Sequence, residues 1–340
     1  MPFRVMVVGG YGNFGSIVCG HLAVMPGVEL LLSGRDPHKL QRKVDELNSQ
    51  SAAVAQGWCG DAMGPAFSAA LRSLDIQLVI HTGGPFQGQS YAVAENCIAA
   101  QVNYCDLADC RTFVNGVSVL DARAKAAGVA ILSGCSSVPT LSSAIIDQQR
   151  HRFSRIDSIE YGVSASAKMP GLSRIEGVLA YAGKPIKQLK NGKVHEVSGW
   201  QNLTLRKIPQ LGSRLLANVD VPDMDIFAGR YGAHTLSFKA GAGLKLAGVA
   251  TAFLAQRVKL GLVRDHLPWA ARLYRLGCRF ERFGDGKSAM YIDVQGAGVE
   301  GQPLTMTAQL TAFNDKGPQI PSCAAVALAA CVPLAAAATA

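Results

Sequence analysis

Short apolar runs and stretches of helical periodicity alternate over the first 134 residues. Val5–Val8 is unbroken apolar sequence and reads as a buried strand, followed by SIVCGHLA as a helix. Val28–Leu32 (VELLL) repeats the strand pattern and PHKLQRKVDEL the helix. A weaker apolar segment around Ala53–Cys59 predicts a third strand, with further strands at 76–81 (IQLVIH), 102–106 (VNYCD) and 129–134 (VAILSG). AFSAALRSL, QSYAVAENCIAAQ and DARAKAAG are the intervening helices, the last ended by glycine. This alternation predicts an α/β fold built on a Rossmann-type doubly wound parallel sheet.

From Pro139 the pattern changes. LSSAIIDQQRHRF is an amphipathic helix, and SIEYGVSAS (158–166) alternates like a strand with one exposed face. GLSRIEGVLAYAG is a helix stopped by Gly183, and KQLKNGKVHEV is a hairpin centred on Asn191-Gly192. AMYIDVQGAGVEGQPLTMTAQLTAF reads as two strands joined by a glycine turn. The expected organisation is a dinucleotide domain over 1–138 and a mixed α+β substrate or dimerisation domain over 139–319. The alanine-rich 320–340 stretch reads as a helix capped by Ser322 and running to about Cys331, where Pro333 interferes. It either returns to dock on the first domain or frays.

Composition narrows the class. At 340 residues, 49% hydrophobic and 17% charged, the chain is globular and long enough for two domains. Its nine cysteines are odd in number with no C-x-x-C pair, which disfavours both a disulfide framework and a metal site and fits a reducing compartment. Met1–Arg4 leads directly into a strand, so the expected localisation is cytoplasmic. The net charge of +9 is uneven: residues 1–140 carry −1 and the remainder +10. Part of that excess lies in 240–282, an apolar, glycine-rich stretch read as a hairpin and followed by a helix with arginines at three- to four-residue spacing. Such a segment either packs with its charged side solvated or makes peripheral contact with an anionic membrane. No nucleic-acid-binding module accompanies the charge, so nucleic acid is not an expected partner.

The chemistry concentrates at the strand ends. Gly10-Tyr11-Gly12-Asn13-Phe14-Gly15 is G-x-G-x-x-G between a strand and a helix, the arrangement that lets backbone approach a pyrophosphate at a helix N-terminus. At the second strand's tip stand Ser33, Gly34 and Arg35, with Lys39 one turn on. A cationic tip suits a ribose 2′-phosphate, so the expected cofactor is NADP(H), with Asp36 acting as helix cap rather than ribose ligand. Asp61, after the third strand, is an adenine-side candidate. Thr82-Gly83-Gly84-Pro85-Phe86 ends the fourth strand in small residues, where open α/β sheets bind ligands. Spacing alone nominates no general acid. Cys97 and Cys135 are available thiols with a buried structural role as the simpler reading.

HTGGPFQGQSYAVAENCIAAQVNYCDLADC, together with the glycine loop, Gly34-Arg35 and Gly134-Cys135-Ser136-Ser137-Val138-Pro139, resembles saccharopine dehydrogenase-like NAD(P)-binding oxidoreductases. The resemblance covers roughly residues 1–145. It implies that Gly84, Pro85 and Phe86 lie near the nicotinamide. It also makes Asp106 a catalytic candidate, as proton relay or substrate-orienting group facing the same crevice, against a purely structural role capping the next segment. Tyr104 reads as packing. The family's Gly-Phe-Asp-Ser-x-Pro loop is replaced here by Cys135 and Ser136. The resemblance implies hydride transfer to or from a small substrate with a C–N bond, in a possible homodimer. An enoyl or lipid reductase working at a membrane, and a non-catalytic NADP-binding protein, are the alternatives.

Overall fold

A computed structural model describes residues 2–50, 54–169 and 171–338, with the side chains of 332–338 left out. Ala53, where the third strand is expected to begin, and Thr339–Ala340 lie outside the described residues. The chain divides into two compact units, Met1–Leu141 with Pro321–Ala340, and Ser142–Ile320.

The first unit is built on six strands: β1 (Phe3–Val8), β2 (Val28–Gly34), β3 (Gln56–Cys59), β4 (Leu78–His81), β5 (Asn103–Asp106) and β6 (Ile131–Leu132). Their spatial order is β3-β2-β1-β4-β5-β6 and every pairing is parallel, with Val5 opposite both Leu30 and Leu78. The period of two sends Val5, Val7, Leu30 and Leu32 to one face, and Met6, Val8, Leu31 and Val79 to the other. Both faces are covered, as all-parallel sheets require. Helices Asn13–Leu22 and Pro37–Gln50 lie on the first face, and Ala66–Ser73, Ala92–Ala100 and Asp121–Ala127 on the second. The order reverses between β1 and β4, so the carboxyl ends of those strands open the ligand crevice of such folds.

The helix Gln319–Ala338 also belongs here, with Ala325 and Ala329 fully buried in the first-face core. It begins before Ser322, which is therefore an interior residue and not a cap, and it continues across Pro333. Alanine's helix propensity and the docking of small side chains outweigh one missing amide. Arg111–Gly116 and Val117–Leu120 add helical turns that the sequence pattern does not announce.

The second unit holds an eight-stranded mixed sheet. Its long central strand β7 (Phe153–Ala165) is followed by the hairpin β8 (Pro185–Lys190) and β9 (Lys193–Ser198). Next come β10 (Thr204–Ile208), β11 (Gly212–Asn218), β12 (Thr235–Ala242), β13 (Ser288–Gly298) and β14 (Pro303–Ala312), in the order β10-β11-β12-β7-β13-β14 with β8 on β12. Asn191 and Gly192 both have positive φ, 51° and 73°, as a two-residue hairpin demands. Although β12 and β13 flank β7 at both edges, its alternation is visible in burial: Ile159 and Tyr161 are buried and Glu160 between them is exposed. One expectation needs correction. The 240–262 stretch is no hairpin: it is the end of β12 and then a helix, Lys245–Lys259.

Candidate functional site

The glycine loop is shaped by backbone crowding. Gly9 and Gly10 both donate their amides to the Ser33 carbonyl, at 2.9 and 3.2 Å, and the Gly12 amide donates to the Gly9 carbonyl at 2.8 Å. A Cβ on Gly15 would lie 2.1 Å from the Gly9 carbonyl oxygen, and one on Gly10 2.9 Å from Leu32, so both positions require glycine. Gly12 is exposed and extended, and the helix begins at Asn13. First-turn amides of a helix have no intrahelical acceptor and carry the positive end of its dipole. A dinucleotide's pyrophosphate fits this bare, cationic end; its nicotinamide supplies hydride chemistry when bound.

Tyr11 ties the loop to the β2 tip. Its hydroxyl accepts from the amides of Arg35 (3.2 Å) and Asp36 (3.1 Å), and its ring covers Gly34 so closely that a Cβ there would sit 2.1 Å from it. Ser33 contributes its carbonyl, while its side chain is buried. Arg35 is exposed, with no hydrogen bond or ion pair to its guanidinium among the described residues. Asp36 caps the next helix, accepting from the amides of His38 and Lys39 at 3.0 Å, and the Lys39 amide chiefly holds its carboxyl below the usual range. Lys39 is exposed beside it, its ammonium 3.7 Å from Asp36. Asn13 points to solvent and Phe14 packs partly on the core. Asp61 is exposed on its turn and accepts the Met63 amide at 3.0 Å.

The Gly83–Phe86 loop is anchored from below. Thr82 Oγ1 donates to the Val8 carbonyl at 2.8 Å, and Gln89 donates to the Gly83 carbonyl at 3.1 Å. Gly83, Gly84 and Pro85 remain partly exposed, whereas Phe86 is buried in an aromatic cluster with Phe113, 5.2 Å between centroids. Phe86 therefore supports the loop from inside.

Beneath this loop runs a buried polar chain that sequence reading only partly anticipates. His81 Nδ1 lies 3.0 Å from the Tyr104 hydroxyl, which donates to Asp106 Oδ2 at 3.1 Å. Because the tyrosine proton goes to Asp106, bookkeeping makes His81 Nδ1 the donor to Tyr104. Asp106 Oδ1 accepts from the Ala108 amide (2.9 Å), the Ser133 hydroxyl (3.0 Å) and the Gly134 amide (2.9 Å). Asp106 thus stands at its strand end as expected, but its carboxyl is 0% exposed and turned into the protein, toward the loop after β6, rather than toward the crevice. Burial raises its pKa, and the Gly134 and Ala108 amides oppose that. Burial pushes His81 down to about 4, so its ring is neutral. Its edge contact with Phe86, 5.2 Å between centroids, completes the support. The sequence signal for His81 is a lone polar residue closing an apolar strand. Cys97 and Cys135 are buried, and burial pushes the Cys97 thiol up.

Fold and loop together define the nicotinamide-dinucleotide-binding oxidoreductases. Residues 5–132 match the family described as the saccharopine dehydrogenase NADP binding domain. Among solved structures it is similar to apo saccharopine dehydrogenase (L-Glu forming) from Saccharomyces cerevisiae. That match has a TM-score of 0.65 at 12% identity and covers 95% of this chain and 89% of that one. It is also similar to a probable dehydrogenase from Thermotoga maritima, with a TM-score of 0.45 at 10% identity over 90% of this chain and 75% of that one. No curated protein sequence matches it significantly. Among the described residues no helix is long and apolar enough to cross a membrane.

Proposed function

We propose that the protein is an NADP(H)-dependent oxidoreductase that moves a hydride to or from a small substrate with a C–N bond, an imine or amine. The observation that carries the cofactor choice is Arg35. Its backbone is fixed by the Tyr11 hydroxyl while its guanidinium is exposed and unpaired among the described residues, beside Lys39 and next to a capping rather than ribose-binding Asp36. A bidentate guanidinium matches a 2′-phosphate. In this reading the glycine-loop amides bind the pyrophosphate and the partly exposed Gly83-Gly84-Pro85 backbone borders the nicotinamide. Asp106 acts through the loops it holds rather than on the substrate. The C–N substrate class rests on the family resemblance and on the fold shared with a saccharopine dehydrogenase.

Calorimetric titration of wild type and Arg35→Asp with NADPH and NADH tests the cofactor. The variant should lose at least about tenfold in NADPH affinity, the loss of one charged hydrogen-bonding partner, with NADH little changed; equal losses for both dinucleotides would refute the assignment. NADPH oxidation across imine, keto-acid and enoyl panels tests the substrate class, with turnover expected for imines first.

A further inference from the structure

The helix Lys245–Lys259 is packed inside out. Its body-facing positions are mostly small, with Leu254 and Val258 the larger exceptions: Gly248 rests over Leu215, and Ala255 approaches so closely that a Cβ on Gly183 would lie 2.1 Å from its carbonyl oxygen. Its outward positions are Leu246, Val249, Ala250 and Phe253, at the three- and four-residue spacing of one helix face. Leu246 is 61% exposed and Phe253 65%. A helix of a water-facing protein turns such residues inward.

The adjoining segment continues the pattern. His266, buried, contacts the Leu254 carbonyl through Nε2 at 3.2 Å and so ties the connection back to the first helix. The helix Ala270–Phe280 then turns Ala270, Leu273 and Gly277 inward, Gly277 lying against Met169. Outward it shows Leu276 and Phe280, flanked by Trp269 (53% exposed) and Phe283 (62%). Arg272, Arg275, Arg279 and Arg282 run along one side of that apolar stripe, with Arg272 over the Trp269 ring at 5.2 Å and Arg282 over Phe283 at 4.8 Å. None of these four arginines forms an ion pair among the described residues. Residues 245–283 hold eight Lys/Arg against two Asp/Glu, a net +6 of the chain's +9.

We propose that this face of the second unit binds the interface of an anionic lipid bilayer. The outward leucines and aromatic rings would enter the boundary between headgroups and acyl chains, and the arginines would meet lipid phosphates. Charge selects this occupant: a second copy docked through the same face would set +6 against +6, whereas a bilayer carrying anionic lipid complements it. The inference is independent of the substrate proposed above.

Flotation with phosphatidylcholine vesicles, with and without phosphatidylglycerol, tests it. Wild type should float with phosphatidylglycerol-containing vesicles and be released by salt. Phe253→Ser combined with Trp269→Ser should cut partitioning about a hundredfold, since two large apolar side chains lose their burial. Arg272, Arg275, Arg279 and Arg282 all changed to Gln should abolish the preference for anionic vesicles. Because all six positions are exposed, thermal unfolding and NADPH binding should match wild type and certify the fold. The proposal is overturned if wild type, with NADPH binding intact, stays with the pellet at low salt. Equal flotation with neutral vesicles would overturn it too. So would sedimentation without lipid in which wild type is a dimer and the Phe253/Trp269 variant a monomer.

Discussion

In the six-stranded sheet three buried polar side chains form one connected chain. His81, Tyr104 and Asp106 pass hydrogen bonds from β4 to β5 and on to the loop after β6, all at the strands' carboxyl ends. In the eight-stranded unit two buried ionisable groups, Asp223 and Arg214, are held in separate local contacts. Ser142 donates to Asp223 at 2.5 Å, and buried Arg214 grips Asp285 with two contacts of 2.7 and 2.8 Å. A connected chain fixes several loops relative to one another, which a site made of loop backbone needs. A pair only staples two segments. The first arrangement should fail collectively, the second one staple at a time.

The largest effect is expected from breaking a staple on its exposed side. Asp285→Ala leaves the Arg214 guanidinium buried without its counterion and should cost about 3–5 kcal/mol of stability, measured by denaturant unfolding, with NADPH affinity unchanged. Asp223 supplies a pH signature. Burial pushes its carboxyl up to about 7 from an ordinary 3.8, against the Ser142 hydrogen bond. Between those values the unfolded chain ionises while the folded one stays protonated. Stability should therefore fall as pH rises through the window, by up to about 4 kcal/mol, and then level off. In Asp223→Asn the melting temperature should lose this slope relative to wild type. His81 has the opposite sign: with its folded pKa near 4 and its ordinary value 6.5, its contribution is lost as pH falls between them.

Asp106→Ala strips four donors of their acceptor and should cost about 2–3 kcal/mol, and it should weaken NADPH binding because the Gly134 and Ala108 amides are released together. Tyr104→Phe alone should cost about 1 kcal/mol. Combined, the two should fall short of the sum by about 1 kcal/mol in a double-mutant cycle, whereas Ser142→Ala and Asp285→Ala should add. Additivity in both cases would erase the distinction between chain and pairs.

The sequence makes the dinucleotide unit legible because backbone crowding leaves a residue-level mark. Only glycine fits at Gly10, Gly15 and Gly34, and those glycines can be read before any coordinate is known. Asp36 as a cap and Asn191-Gly192 as a turn are local in the same sense. The His81–Tyr104–Asp106 chain is only partly local: Tyr104 and Asp106 are two residues apart on β5, and sheet order brings His81 on β4 to them. Asp106 could be singled out by resemblance, but the direction of its carboxyl follows from Ser133 and Gly134, a strand away. Periodicity marks the face of Lys245–Lys259 that carries large apolar residues, but not that mostly small residues face the protein instead. Pro333 misleads for a related reason, since the helix is held by tertiary docking at Ala325 and Ala329.

That docking has a consequence for the order of synthesis. The core of the dinucleotide unit includes residues on both sides of the whole 142–320 stretch, so a ribosome that has just released Leu141 has made a first-face core that still lacks Ala325 and Ala329. Domains emerging from the ribosome generally fold as they appear. Here the unit made first is the one finished last, and the apolar strip that receives Ala325 and Ala329 waits while the second unit is translated. Supplying the 319–338 helix as a separate peptide to chains ending at Ile320 should therefore speed acquisition of NADPH binding.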